Sequence, residues 1–250
     1  MKQIAIIGAG ISGLRAALEL TRSHHVTIFE KSSGVGGRVA TRRLASSFIN
    51  HGAEKFDGQD KLKNDPMAAK YSRFFSFDAG ATGLPKAMRD ELSESGAKFR
   101  LNAKVTAIEG LSIILEDGER HSFDGIILTA PVPQVREILG ENIFPEVRYA
   151  KTILFIGERN DKPFLWEVPR EKTEDIFDLS EEFIRAKFTE DLGGLTLKKW
   201  RYSRVERGVP ELYVNYRPGI IIAGDAFDPE ENHHIGASWL SGLAAGKALL

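Results

Sequence analysis

Gly8, Gly10 and Gly13 stand in the run Gly8-Ala9-Gly10-Ile11-Ser12-Gly13, and an acidic residue, Glu30, follows at about the distance a ribose-binding carboxylate keeps from such a run. At this spacing the first glycine permits a tight turn, the second lets the backbone approach a pyrophosphate, and the third lets helix and strand pack closely. The amides of Ile11 and Ser12 open a helix, whose N-terminus offers unpaired N–H groups and partial positive charge to that pyrophosphate. Glu30 can accept hydrogen bonds from a ribose diol. Immediately beyond it, Lys31-Ser32-Ser33-Gly34-Val35-Gly36-Gly37-Arg38 brings three more glycines and a forked cation suited to phosphate, with Arg42 and Arg43 close behind.

Chemistry of a second kind clusters near the other end. Gly224-Asp225 follows an apolar run, and Gly236-Ala237-Ser238 opens a further helix, so a carboxylate and a helix N-terminus are available to a hydroxyl-bearing chain or a developing anion. Trp200 and Tyr202 share one face of a strand and are candidates for a substrate wall. His51, next to Gly52, stands where a ring system could approach. His233 and His234 have no third ligand at zinc-binding spacing, so no metal is expected. Neither a Gly-x-Ser-x-Gly elbow nor a Walker lysine is present.

These residues need elements to position them. Ile4–Ile7 and Val26–Phe29 read as parallel strands around a helix from Leu14 to Arg22, a complete βαβ unit. Phe48–Ala53 reads as a short strand and turn, Asp57–Lys70 as loop into short helix, Ala81–Ser95 as a helix closed by Gly96, and Lys98–Leu101 as a strand. Val105–Glu109, Ser112–Leu115 and Arg120–Phe123 read as an antiparallel meander turning at Glu116–Glu119. Gly125–Pro131 returns as an apolar strand whose end, at Thr129, can approach a cofactor. The texture then changes. A helix is expected over Val132–Leu139, strands over Tyr149–Ile156 and Phe164–Val168, and an acidic helix from Ser180 to about Glu190. A long strand from Leu195 to Val205 alternates Thr196, Lys198, Trp200 and Tyr202 with Leu197, Lys199 and Arg201. Gly219–Ala223 is a last buried strand. The fold class expected is α/β: a Rossmann-like nucleotide-binding domain, its parallel sheet interrupted by a β-meander crossover, with a small α+β cap. The first is assembled from 1–132 and 216–250, the cap from 133–215.

Composition agrees with a globular chain of 250 residues, 42% hydrophobic and 28% charged. A formal net charge of −1 gives no reason to expect nucleic acid or an anionic membrane as partner. No run approaches the length of a membrane span. The absence of cysteine excludes disulfides, Cys-ligated metals, a thiol nucleophile and a cysteinyl flavin linkage. A soluble, cytoplasmic protein acting on a small molecule is the expectation; oligomeric state is not legible.

Four segments together resemble the flavin-containing amine oxidase superfamily, and within it renalase-like proteins. They are Ile6–Gly13 with Glu30, Gly36-Gly37-Arg38 with Thr41-Arg42, Leu128–Pro131, and Gly224-Asp225 with Gly236–Gly242; Asn50–Ala53 and Trp200–Tyr202 add to the impression. The resemblance implies non-covalent FAD in an extended conformation. Gly8, Gly10 and Gly13 would hold the pyrophosphate, Glu30 the adenosine ribose, Arg38 the phosphate and flavin region, and Val105 the adenine side through its backbone. Asp225 would meet the ribityl or phosphate region, and the helix N-terminus at Ala237 and Ser238 the flavin pyrimidine end. It also implies hydride removal from a carbon beside nitrogen, with dioxygen as reoxidant. Trp239 stands for the substrate-flanking aromatic near the final helix. Lys198 and Lys199 are the candidates for the lysine many relatives place near the flavin. The chain is short for this superfamily, with the shortening expected between Phe56 and Ala81 and in the cap. Two other classes share the fold: a desaturase or non-redox flavoenzyme, and a flavin-binding sensor or partner-binding module without turnover. NAD binding without flavin is disfavoured by the Gly-Gly-Arg segment and the C-terminal Gly-Asp strand.

Overall fold

The computed structural model describes residues 1–45, 47–53, 56–188, 191–228 and 235–250. In chain order, β1 (Gln3–Ile7), α1 (Ile11–Leu20) and β2 (His25–Phe29) form the opening βαβ unit. A hairpin of β3 (Thr41–Arg43) and β4 (Phe48–Asn50) precedes α2 (Pro66–Tyr71), α3 (Gly83–Glu94) and β5 (Lys98–Arg100). The meander β6 (Val105–Glu109), β7 (Ser112–Leu115), β8 (Arg120–Ser122) leads into β9 (Gly125–Leu128) and α4 (Val132–Leu139). Next come β10 (Arg148–Arg159), β11 (Lys162–Glu167), α5 (Arg170–Ile176), α6 (Glu181–Ala186) and β12 (Thr196–Arg207). The chain closes with β13 (Val214–Arg217), β14 (Ile220–Ile222) and α7 (Ile235–Ala248).

The apolar runs earn their burial. One six-stranded sheet has the order β13-β14-β9-β1-β2-β5, parallel throughout except at β13. Its central strands are apolar on both faces because both faces are covered. On one face α1, α3 and α7 enclose Ile4, Ile6, Leu14, Ile28, Leu84 and Met88; on the other α4 and the meander enclose Ile7, Val105, Ile113, Leu128 and Val135. α7 lies close along α1: a side chain at Gly242 would collide with the Ser12 carbonyl, and one at Gly246 would crowd that of Ala16.

A separate three-stranded antiparallel sheet, β11-β10-β12, carries its own core of Ile153, Phe155, Val168, Ile176, Phe177, Ile184 and Leu195. α4 packs on the meander side of the larger sheet, so the independently packed cap is the segment from β10 to β12. The acidic helix ends at Ala186, earlier than its sequence suggests; Ser180 caps its start by accepting from the Phe183 amide, and α5 precedes it. Its expected tail at Glu190 lies outside the described residues, as do His233 and His234. Among the described residues no helix is long and apolar enough to cross a membrane.

Candidate functional site

Because β1, β2, β9 and β14 run parallel, their C-terminal ends meet at one edge. This delivers Gly8, Glu30, Thr129 and Asp225 to the same crevice, where the order of strands reverses between β1 and β9. The cap sheet closes over that edge and encloses a cavity of about 1190 Å³. The cavity runs from Glu30, Lys31 and Val105, past Gly10, Ser12, Gly37 and Arg38, to His51, Trp200, Tyr202 and Ser238.

Between those ends the glycines of the first Gly-rich run stand in different surroundings. A Cβ on Gly13 would collide with the Gly8 carbonyl, so only glycine lets α1 meet β1 here; a Cβ on Gly10 would meet nothing and would fill the cavity itself. The Ser12 hydroxyl, in the first turn of α1, is buried without a partner. The second Gly-rich segment is tied to the first, the Gly36 amide donating to the Ala9 carbonyl at 2.8 Å. Glu30 is buried and accepts from the Ala9 amide at 2.9 Å and the Ser32 amide at 2.8 Å, which fixes its carboxylate at the cavity edge. Thr129 also lines the cavity; its hydroxyl donates to the Ile7 carbonyl at 3.0 Å and braces the ends of β1 and β9. An open space above an amide-rich turn, with an orphaned hydroxyl beside it, fits the pyrophosphate of a dinucleotide such as FAD.

Arg38 and Asp225 are brought together from opposite ends of the chain. Arg38 Nη1 donates to Asp225 Oδ2 at 2.6 Å and to the Tyr202 carbonyl at 3.0 Å, and its guanidinium lies 5.8 Å from the centroid of the Tyr149 ring. Burial opposes the Arg38 charge, but Asp225 outweighs it and holds the guanidinium proton more firmly than usual. Tyr149 donates to Asp225 Oδ1 at 3.3 Å; its phenol is pushed well above its ordinary range, by burial first and by Asp225 second. This cluster joins the Gly-rich loop, the end of β14 and both long cap strands.

The cap wall follows the alternation of β12. Leu197 packs into the cap core; Lys199 and Arg201 border the cavity, but their charged ends are held elsewhere, Lys199 Nζ donating to the carbonyls of Phe177 and Leu179 and Arg201 pairing with Asp178. Trp200 and Tyr202 face the base. The Trp200 indole donates to the His51 carbonyl at 2.8 Å and stacks on the imidazole with ring centroids 5.7 Å apart. His51 titrates below its ordinary value of 6.5, by burial first and by the charge of Lys198 second. Tyr202 packs edge-on against Tyr149.

Several expected site residues are placed elsewhere. Trp239 is 0% exposed and belongs to the core, donating to Asp65 Oδ2 at 2.6 Å among Phe56, Tyr71 and Phe75. The reason is helical geometry: each residue turns about 100° from the last, so with Ser238 lining the cavity its neighbour points to α1 and α2. Lys199 borders the cavity, but its ammonium is held by the carbonyls of Phe177 and Leu179. Thr41 donates to Asn50 Oδ1 and accepts from the Thr82 amide, locking the β3–β4 hairpin to the start of α3, and neither it nor Arg42 lines the cavity. Gly236 and Ala237 are buried, and Asp57 already accepts from the first turn of α7: its Oδ1 from the Ile235 amide at 3.0 Å, its carbonyl from that of Gly236 at 3.1 Å. Gly224 lies beneath Thr129 and donates to the Ser241 hydroxyl. Tyr149, Thr152, Leu154 and Glu167 line or brace the cavity without having been singled out. Their strands were legible; which face met the base depends on how the cap docks.

The described geometry can be set beside known proteins. A family model described as an NAD(P)-binding Rossmann-like domain matches residues 6–69, and one described as flavin containing amine oxidoreductase matches 70–153. An L-amino-acid oxidase of Sistrurus catenatus edwardsii is 32% identical over 97 residues, which are 37% of this chain and 19% of that protein. A 4,4'-diapophytoene desaturase (4,4'-diaponeurosporene-forming) of Staphylococcus aureus is 55% identical over 38 residues, 15% of this chain and 8% of its own. The chain thus aligns with a fifth or less of these curated relatives. Among solved structures, an oxidoreductase from Methanosarcina mazei superposes with a TM-score of 0.65 at 12% identity, covering 98% of this chain and all of the other. A Pyrococcus furiosus protein gives 0.58 at 13% identity, covering 99% and 97%. At these identities the likeness is one of fold.

Proposed function

We propose that the chain, matched in part by family models of an NAD(P)-binding Rossmann-like domain and of flavin containing amine oxidoreductase, is an FAD-dependent oxidoreductase acting on a small amine or a dihydronicotinamide-like ring. Bound FAD supplies the chemistry, accepting hydride from a carbon beside nitrogen and returning the electrons to dioxygen. In this reading the domain built on the larger sheet holds the cofactor without a covalent bond and the cap from β10 to β12 covers it. Gly8, Gly10, Gly13 and Ser12 bind the pyrophosphate, Glu30 the adenosine ribose, and the Val105 backbone flanks the adenine. Arg38 and Asp225 meet the phosphate and ribityl region, already oriented by each other and by Tyr149. Lys31 and Gly37 border the same cleft. His51, Trp200 and Tyr202 form the wall against which a substrate is held, and Ser238 borders the same end. No side-chain acid or base is required for the hydride step itself; the chain's contribution is orientation and exclusion of water.

The observation that carries this reading is the space above Gly10, continuous with the aromatic wall of the cap. Purified protein is expected to show flavin absorbance that bleaches when an amine or a dihydronicotinamide is added without air. Gly10→Val fills the cradle and is expected to yield colourless protein. A Gly10→Val variant that stays yellow, or a wild-type protein that cannot be loaded with FAD, overturns the assignment. Flavin bands that no such donor bleaches leave a binding or sensing role in its place.

A further inference from the structure

The long cap strand that borders the cavity breaks its own ladder. In the register of β10 with β12, Thr152 stands opposite Trp200, but Ala150 stands opposite Arg204. Between those pairs β10 has one residue, Lys151, and β12 has three, Arg201, Tyr202 and Ser203. The surplus residues must bulge from the sheet, and a bulge re-aims the groups it carries. Two hydroxyls bridge the interruption. Thr152 Oγ1 donates to Ser203 Oγ at 2.8 Å, and Ser203 Oγ donates in turn to the Ala150 carbonyl at 2.9 Å. These bonds run from the pair before the bulge to the pair after it, and both hydroxyl residues border the cavity. From the middle of the bulge the Tyr202 carbonyl points to the base, where it accepts from Arg38 Nη1 at 3.0 Å.

Arg38 is the group this geometry serves. The same Nη1 donates to Asp225 Oδ2 at 2.6 Å, so one arm of the fork is held from two sides, by the end of β14 and by the cap. Among the described residues Nε and Nη2 of Arg38 make no hydrogen bond, which leaves them to a ligand in the cavity. A guanidinium fixed by one arm presents the others in a set direction, and less freedom is lost when an anion docks on it. Both acceptors of that arm are braced from one short stretch of cap: Tyr149, which donates to Asp225, is followed by Ala150, on which the hydroxyl chain ends. We infer that Thr152 and Ser203 are positioning residues of the cofactor cleft. Their hydroxyls hold the bulge, the bulge aims the Tyr202 carbonyl, and the carbonyl orients Arg38 toward the phosphate and ribityl region of FAD. The cap is then part of the cofactor's own site as well as a cover over it. The identity of the ligand rests on the function proposed above.

FAD affinity reads the effect, titrated into the full chain freed of flavin and followed by flavin fluorescence. Ser203→Ala breaks both hydroxyl bonds and is expected to weaken FAD binding roughly three- to tenfold, the scale of one lost hydrogen bond. Ser203→Thr keeps the hydroxyl and is expected to stay within about twofold of wild type. Thr152→Val, which breaks only the first bond, is expected to move the same way by a smaller factor, and serves if Ser203→Ala does not fold. Arg38→Lys separates positioning from general support of the cap, because it keeps the charge and loses the fork. In that background Ser203→Ala is expected to change FAD affinity less than about twofold, since no fork remains to be aimed. The inference is overturned if Ser203→Ala binds FAD as wild type does, if Ser203→Thr loses as much, or if the loss is the same with and without Arg38. A wild type that binds no FAD overturns the cofactor reading and this inference with it. A wild type that binds FAD, beside a Ser203→Ala protein that binds it equally well, overturns this inference alone.

Discussion

Trp239 and Trp200 make the same kind of bond in opposite settings. Trp239 donates to the carboxylate of Asp65, has the guanidinium of Arg15 5.3 Å from its ring centroid, and is wholly enclosed by helices and aromatic rings. Trp200 donates to the backbone carbonyl of His51 across the gap between cap and base, with its ring on the cavity. The first indole completes a buried ionic group, since Arg15 also pairs with Glu19 at 2.7 Å and Asp65 at 3.2 Å. The second fastens one structural unit to another at the wall of the cavity. An aromatic near a cofactor motif can thus serve either the core or the site, and the element that carries it decides which.

Truncation of each tryptophan sharpens that contrast. Trp239→Ala leaves a cavity in the core and takes one donor from the buried Asp65 carboxylate, and is expected to cost about 3–5 kcal/mol in urea denaturation. Trp200→Ala removes one hydrogen bond and a stack at a half-open wall, an expected loss of about 1–2 kcal/mol, with flavin retained and substrate affinity reduced. Equal losses would erase the distinction between core and wall.

Acid probes the core side through Asp65. Burial pushes the Asp65 carboxyl up, but the Trp239 N–H and Arg15 outweigh it and hold it below its ordinary 3.8. A depressed carboxyl contributes stability that is present above its unfolded value and disappears as pH falls through its folded one. Asp65→Asn is therefore expected to be less stable than wild type at neutral pH and to lose less between neutrality and strong acid, as followed by fluorescence. Parallel acid curves for the two proteins would remove Asp65 from the linkage.

The same contrast shows what was legible beforehand. Gly10, Gly13, Glu30 and the parallel strands were readable because their meaning is local: a turn, a close approach and a strand end are encoded by neighbours in sequence. The cavity-facing set Lys198, Trp200, Tyr202 was readable as an alternation, although the cap's docking had to supply its direction. Arg38 and Asp225 each stand out in the sequence as candidates and both line the cavity, but their ion pair joins segments at the two ends of the chain and has no local signature. Trp239 was misjudged because a helix of small residues with mixed surroundings gives no clear face: Gly236, Ala237, Ser241, Gly242 and Ala245 are buried as well. Thr41 carried a polar side chain beside arginines, yet the hairpin and the Thr82 amide claimed it.

The finest test of the wall lies in His51, which Trp200 stacks on and whose ionisation is held below 6.5 by burial and then by Lys198, with Arg42 adding a smaller push. Above the unfolded value the ring is neutral in both states and contributes no pH dependence. As pH falls below about 6.5 the unfolded chain takes up a proton that the folded chain resists, so stability declines until the folded value is passed. His51→Gln removes that proton, and its stability is expected to fall less steeply than that of wild type between neutrality and mild acid. Lys198→Gln is expected to move in the same direction by a smaller amount, because Lys198 is the second cause and burial the first. A wild-type slope in His51→Gln would mean that the imidazole titrates freely and that the stack leaves it open to water. A larger effect from Lys198→Gln than from His51→Gln would place the field of the wall ahead of burial.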